Sequence, residues 1–391
     1  MSLFKLPSGV WDVLPDECYN LNIIKDKLKT KFLKCGCDFI ETPGIEYYDN
    51  FTLVKSAIPQ EKMFKLTDSD GRLLVLRPDI TLSVARIAAT KLKTTENKLC
   101  YFSNIYEANA AGVNSREIAQ AGVEFLGTKS DFSDAEIIAL AIESLLALGL
   151  KDFIIDIGQI EFFKGLLSGS GLNEEQIEKI RAFINKKDLI NVEILLKEYG
   201  ANSKLLEAIM ALPTLFGGEE VLKKAAAFTE NEKALSALEN IKNVYKLLAE
   251  FGYEKYIAID LGTIKSLSYY TGIVFTGLSG SFGASILTGG RYDNLTAEFG
   301  KNIPSVGFAI GLKRVLIALE RENKLTKKTE EIILVAAEKG MEKDAYLYAE
   351  KMRKSGKITE LFTGDINNAE SYAKQKNISI VKLFKKGGEN D

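Results

Sequence analysis

The stretch Tyr101–Gly127, YFSNIYEANAAGVNSREIAQAGVEFLG, decides how the rest of the chain is read. Aromatic residues crowd Tyr101 to Tyr106, and apolar and polar residues alternate from Val123 to Leu126. Both ends therefore read as strands, with the polar run Asn109–Ser115 as the turn between them. The unit is a β-hairpin with a long loop, and Arg116 and Glu117 stand where the loop returns. Gln120 and Glu124 are separated by an even number of positions, so on a strand they point to the same face. Such side chains on a half-buried strand call for a partner with donors to give. The alternative is a solvated outer face.

Upstream, Leu21, Ile24, Leu28 and Phe32 recur at helical spacing up to Gly36. Phe39–Phe51, FIETPGIEYYDNF, reads as a strand broken by Pro43. Helix and strand together fit either a core or a dimer surface. Met63–Leu66 and Leu73–Leu76 read as a second hairpin around Asp68–Gly71. The run LRPDIT, Leu76–Thr81, follows. Arg77 precedes a proline and is biased to extended geometry. Asp79 and Thr81 stand where a helix begins, with an apolar stripe of Leu82, Ala85, Ala88 and Leu92. They either cap that helix or bind a ligand.

Downstream, Ser133 and Glu136 read as a capping box. Ile137, Ala141, Leu145 and Leu148 carry a helix to Gly149, and Phe153–Ile157 reads as a strand. From Lys164 to Gly252 the pattern is almost wholly helical and carries no motif. Asn173 and Gln176 cap one helix with Ile177, Ile180 and Ile184 inside; Leu235, Leu238, Ile241 and Leu248 mark another. Strands resume at Tyr256–Leu261 and continue through SLSYYTGIVFTG, Ser266–Gly277, and SILTGGRYDNL, Ser285–Leu295. Gly289–Gly290 reads most simply as a tight turn. Ile303–Leu319 gives a strand, a glycine turn and a helix with Arg314 near its start. After the polar linker Leu325–Glu331, strands Ile332–Ala336, Ile358–Phe362 and Ile378–Leu383 alternate with helices Asp344–Lys354 and Asn368–Lys376.

The chain has 391 residues, room for two or three domains. Lys and Arg number 51 against 53 for Asp and Glu, a net charge of −2, which lacks the basic surplus of a nucleic-acid binder. No apolar run has the length of a membrane span, and the N-terminus has no basic-then-apolar signal. Cys18, Cys35, Cys37 and Cys100 have neither disulfide nor paired CxxC spacing, which fits a reducing cytoplasm. The chain has no histidine. Catalytic triads with histidine, histidine relays and the usual zinc sites are thereby excluded.

These segments, taken in order, resemble the catalytic core of the class II histidyl-tRNA synthetases. FIETPGIE looks like the dimer-interface motif, LRPDIT like LRPEGT, and SREIAQAGVEFLG like REFxQxGxExxG. SLSYYTGIVF looks like GLDYYTGxVF, TGGRYDNL like AGGRYDxL, and PSVGFAIGLKRVLIAL like the third class II motif. The resemblance implies an α+β fold: an antiparallel sheet flanked by helices, usually dimeric. The expected organisation is core 1–163, helical insertion 164–251, core 252–324, and a small α/β domain 330–391, shorter than an anticodon-binding domain.

Departures from the family pattern bear on function. Where a synthetase ends the first hairpin strand in Phe-Arg, with the arginine on the ATP α-phosphate, this chain has Tyr106-Glu107. An arginine serves phosphate because its planar fork makes two charge-assisted bonds, and losing one such partner costs about 2–5 kcal/mol. Lys265 aligns with the arginine of RGLDYY and Ser268 with its aspartate. Lys313-Arg314 replaces the Glu-Arg pair of the third motif. The positions matching the family's histidine pocket are Asp79, Thr81, Gln120, Glu124, Tyr269 and Tyr270, with Asp79 one methylene shorter than the usual Glu. Lys265 still offers a cation to a carboxylate. Histidine-binding groups kept beside lost ATP-binding groups resemble the synthetase-like regulatory subunits of ATP phosphoribosyltransferase. That resemblance implies a non-catalytic partner of a separate short-form catalytic subunit, homodimeric through its core, with histidine as feedback effector and no cofactor or metal. The alternatives are an active histidyl-tRNA synthetase or another non-enzymatic paralogue in translation control.

Overall fold

The computed structural model of the chain describes residues 5–52, 58–108, 115–262, 264, 269–328 and 331–386. The chain divides into two compact units, Met1–Leu325 and Thr326–Asp391. Strands of the first are β1 (Asp38–Phe39), β2 (Ile45–Tyr47), β3 (Lys65–Thr67), β4 (Leu73–Leu76), β5 (Asn97–Tyr106), β6 (Glu117–Leu126), β7 (Phe153–Gln159), β8 (Phe216–Gly217), β9 (Ile257–Asp260), β10 (Ile273–Ser279), β11 (Ala284–Arg291) and β12 (Ser305–Gly311). Its helices are α1 (Pro15–Lys34), α2 (Tyr48–Thr52), α3 (Ile80–Thr90), α4 (Asp131–Leu148), α5 (Ile160–Leu167), α6 (Glu174–Asn185), α7 (Leu189–Glu198), α8 (Ser203–Ala211), α9 (Glu220–Ala226), α10 (Glu232–Glu250) and α11 (Leu312–Arg321).

The main sheet runs β1-β5-β6-β12-β11-β10-β7-β9-β8. From β5 to β7 every neighbouring pair is antiparallel. The expected antiparallel sheet is therefore its centre, while β1 lies parallel to β5 and β9 parallel to β7. Parallel neighbours need long crossovers, and the helical stretch α6–α10 supplies the one from β7 to β9. That stretch is not purely helical: its β8 pairs with β9. The organising hairpin is in register from Asn97 opposite Leu126 to Tyr106 opposite Glu117; of the turn expected between its strands, residues 109–114 lie outside the described residues.

The largest apolar cluster lies on one face of this sheet, and smaller ones lie on the other. α1 buries Ile24, Leu28 and Phe32 in the largest, at the spacing read from sequence, and α4 buries Ile137, Ala141, Leu145 and Leu148. Ile180, Ile184, Val192, Leu196, Ile241, Val244 and Leu248 of the helical stretch belong to the same apolar cluster. Leu235 of α10 is exposed instead, and Ala234 and Ala237 take the inward positions.

Local chemistry corrects the reading in three places. The capping box of α4 is formed by Ser130 and Ser133, not Ser133 and Glu136. Glu136 lies beyond the first turn and pairs with Lys98. The expected strand Phe39–Phe51 is two short strands followed by α2, because Pro43 and Gly44 interrupt pairing. Gly289 and Gly290 sit inside strand β11, paired with β12, rather than in a turn. Asn173 and Gln176 do form the capping box of α6.

The second unit alternates β13 (Ile332–Ala337), α12 (Glu342–Lys354), β14 (Ile358–Phe362), α13 (Ala369–Gln375) and β15 (Ile380–Phe384). Its parallel sheet has the order β14-β13-β15. Along β13, Ile333 and Val335 meet Ala345 and Ala349 of α12, while Leu334 and Ala336 meet Ala369 and Ala373 of α13. A strand buried on both faces explains its unbroken apolar run. Among the described residues, no helix is long and apolar enough to cross a membrane.

Candidate functional site

A cleft of about 740 Å³ opens over the sheet face that carries Gln120 and Glu124. The first turn of α3, the segment before β10, and strands β5, β6, β11 and β12 wall it. Asp79, Thr81, Gln120, Glu124, Tyr269 and Tyr270 all line it, as does Glu107. Lys265 and Ser268 lie outside the described residues.

Glu124 is the centre of the floor and is 1% exposed. Thr81 Oγ1 donates to its Oε1 at 2.9 Å, Tyr101 Oη to the same oxygen at 3.4 Å, and Tyr292 Oη to Oε2 at 2.5 Å. The side chain fits because Gly307 stands opposite it on β12: a Cβ there would come within 1.6 Å of Glu124 Oε2. Gly290 does the same for Tyr270, whose ring a Cβ would meet at 2.7 Å. Both glycines are points of close approach within the sheet, and of the two only Gly290 reads from sequence as part of a turn.

Asp79 is the N-cap of α3 and also lines the cleft. As N-cap of α3, its Oδ1 accepts from the Leu82 amide at 2.8 Å. Its Oδ2 accepts from Tyr269 Oη at 3.5 Å and remains at the cleft wall. Tyr269 packs on Tyr270 with centroids 4.9 Å apart and edge-on to Tyr292 at 6.0 Å.

Burial of Glu124 raises its carboxyl pKa to about 8; the Tyr292 and Thr81 hydroxyls oppose the rise, and the Asp79 charge adds to it. Asp79 is raised too, chiefly by desolvation, with the Leu82 amide and Tyr269 hydroxyl opposing. Two acids walled by phenol rings suit a small ligand that brings hydrogen-bond donors or positive charge, since aromatic faces also attract cations.

The far end of the cleft is different. Glu107 follows β5, and its amide donates to the Arg116 carbonyl at 2.9 Å. Its carboxylate, 30% exposed, pairs with Lys62 at 2.9 Å. The far end of the cleft thus presents an acid paired with a lysine. Arg314 is retained but turned onto β11, donating to the Ser285 carbonyl at 2.9 Å. Lys313 pairs with Glu17 at 3.2 Å and covers the Trp11 ring.

Sequence reasoning missed Tyr292 and Tyr101 as partners of Glu124, Lys62 at Glu107, and Glu178 and Arg181, which reach the cleft from α6. Tyr292 had a signal, being within TGGRYDNL; α6 had none. Neighbours in that motif diverge. Arg291 is buried away from the cleft's floor acids and donates to Asp134, Asp293, Ser133 and the Thr128 carbonyl. Arg77 of LRPDIT is likewise structural, holding the carbonyls of Thr42, Pro43 and Asn104.

A family model, histidyl-tRNA synthetase, matches residues 9–315. The chain is 43% identical over 388 residues to an ATP phosphoribosyltransferase regulatory subunit of Ruminiclostridium cellulolyticum, covering 97% of this chain and 93% of that one. It is 40% identical over 384 residues to the protein of the same name from Acetivibrio thermocellus, covering 97% and 92%. Among solved structures, an ATP phosphoribosyltransferase regulatory subunit/histidyl-tRNA synthetase from Bacillus halodurans C superposes with a TM-score of 0.86 at 29% identity, covering 99% of this chain and 100% of that one.

Proposed function

Because the chain belongs to the histidyl-tRNA synthetase family and, within it, to the ATP phosphoribosyltransferase regulatory subunits, we propose that it is the non-catalytic partner of a separate, short-form catalytic chain and carries histidine's feedback signal to it. The observation that carries this reading is the asymmetry of one cleft. Its floor assembles Asp79, Thr81, Gln120, Glu124, Tyr269 and Tyr270, while its far end presents Glu107 paired with Lys62. A carboxylate there repels a nucleotide's phosphates, and its pairing with lysine takes up a cation that could have offset the repulsion. The acid-and-phenol floor still fits an amino acid's ammonium and an imidazole's nitrogens.

In this reading the effector biases an equilibrium between active and inhibited assemblies. Such coupling is typically worth about 1–3 kcal/mol. Histidine supplies it only by binding the two states unequally. The cytoplasm, where histidine is made, is the setting this function requires.

Reconstitution tests the reading. Phosphoribosyl transfer from a short-form catalytic chain is expected only when this chain is added, and histidine is expected to suppress it. Glu124→Gln and Tyr270→Phe are expected to blunt that suppression while assembly persists. Histidine-dependent exchange of pyrophosphate into ATP by this chain alone would overturn the reading in favour of a synthetase.

A further inference from the structure

The helical stretch carries no sequence motif, yet α6 sends two charged side chains to the cleft. Glu178 and Arg181 stand one turn apart and both line it. Ile180 and Ile184 are buried in the core, which fixes the rotation of α6. Arg181 is only 15% exposed, whereas Glu175 and Lys179 of the same helix project outward. Its Nε donates to Glu178 Oε1 at 2.9 Å and its Nη2 to the other oxygen, a bidentate pair. Among the described residues lining the cleft, Arg181 and Lys62 are the cations, each paired with an acid, Lys62 with Glu107 and Arg181 with Glu178. The cleft thus has acids and phenols on its floor and an arginine–glutamate pair on the side of the insertion, and of the two cations Arg181 has the planar fork that a carboxylate fits.

We propose that Arg181 receives the carboxylate of the amino acid whose ammonium group faces Glu124 and Asp79, so that the helical insertion completes recognition of the effector. This rests on reading the cleft as an amino-acid site. A zwitterion placed against two floor acids matches its positive end only. Its carboxylate loses water in an acid-lined space and needs a counter-charge. A guanidinium meets a carboxylate along one edge with two parallel bonds, and its five N–H donors allow it to serve more than one acid. Glu178 is then the resting counter-charge, an acid that the ligand's carboxylate joins or displaces. The insertion gains its role through this contact: occupancy of the floor is felt by α6, a helix packed into the core of the unit.

Calorimetry on the full-length chain tests this with two probes, L-histidine and histamine, which share an imidazole and an amine but differ in the carboxylate. The wild-type chain is expected to prefer histidine by roughly 10- to 100-fold. Arg181→Ala is expected to bring histidine down to the affinity of histamine and leave histamine unchanged, with Arg181→Lys recovering part of the loss. Hydrogen exchange in 174–185 is expected to slow with histidine and not with histamine. A preference that survives Arg181→Ala, or one that collapses with Lys265→Ala instead, overturns the assignment while leaving the amino-acid site in place. A wild-type chain that binds neither probe overturns both. Equal melting temperatures of the variants show that they fold.

Discussion

Glu124 is a carboxyl that folding makes harder to ionise, and its neighbours donate hydroxyls rather than positive charge. With its pKa raised from 4.5 to about 8, the folded chain holds a proton that the unfolded chain has released between those values. Stability from this group is present below the unfolded value and is lost as pH rises toward 8, at up to about 1.4 kcal/mol per pH unit. Thermal melts from pH 5 to 8 are expected to show Glu124→Gln gaining on the wild type as pH rises. A ligand ammonium beside Glu124 favours its ionised form, so binding below pH 8 is expected to release a proton. Calorimetry in buffers of different ionisation enthalpy reads that proton, and Glu124→Gln abolishes it. Gly307→Ala is expected to abolish ligand binding, because its Cβ cannot coexist with Glu124 Oε2 in the present position.

At the scale of elements, α3 ties the fold to the site. Its N-cap Asp79 satisfies the Leu82 amide and also faces the cleft, so Asp79→Ala is expected to cost about 1 kcal/mol of stability and to weaken ligand binding as well. Thr81, two residues along in the same first turn, reaches Glu124. Just before the helix, Arg77 joins the Thr42–Pro43 bend to β5 through backbone carbonyls. Arg77→Ala takes the donor from those part-buried carbonyls, and urea melts are expected to show a loss of about 2 kcal/mol. Because Arg77 lies outside the group that lines the cleft, ligand affinity per folded molecule is expected to be much less affected.

For the whole molecule, the exposed apolar residues of the 38–76 stretch are the notable surface. Ile45, Tyr47 and Leu66 are exposed, Ile45 at 51%, and the pairing of Ile45 with Leu76 and of Tyr47 and Leu66 with Leu74 puts them on one face of the short β2-β4-β3 sheet. Apolar exposure on one face is the kind that marks interaction sites, and it falls in the region whose sequence resembles the family's dimer motif. We expect sedimentation to report a homodimer, and Ile45→Lys with Leu66→Lys to shift it to monomer without changing the circular dichroism of the chain. A monomeric wild type would remove that reading.

The sequence by itself determined the elements: the hairpin around 101–127, the helix stripes and the alternating tail, each written in local periodicity or in a short run that a single chain segment expresses without help. Six cleft residues were legible only through motifs that resemble a family's. Tertiary structure alone decided which of the motif residues meet. Arg291 and Tyr292 are adjacent in sequence, yet one anchors a buried ion network and the other holds Glu124. Gly290 reads as a turn until the fold puts Tyr270 against it, and Gly307 has no role in the sequence until β6 sets Glu124 opposite it. Ser130 rather than Ser133 caps α4 because the helix begins earlier than its apolar pattern does. Arg181 reaches the cleft only because the insertion packs its own apolar face into the core, and no spacing within α6 encodes where that packing aims the residues flanking that face.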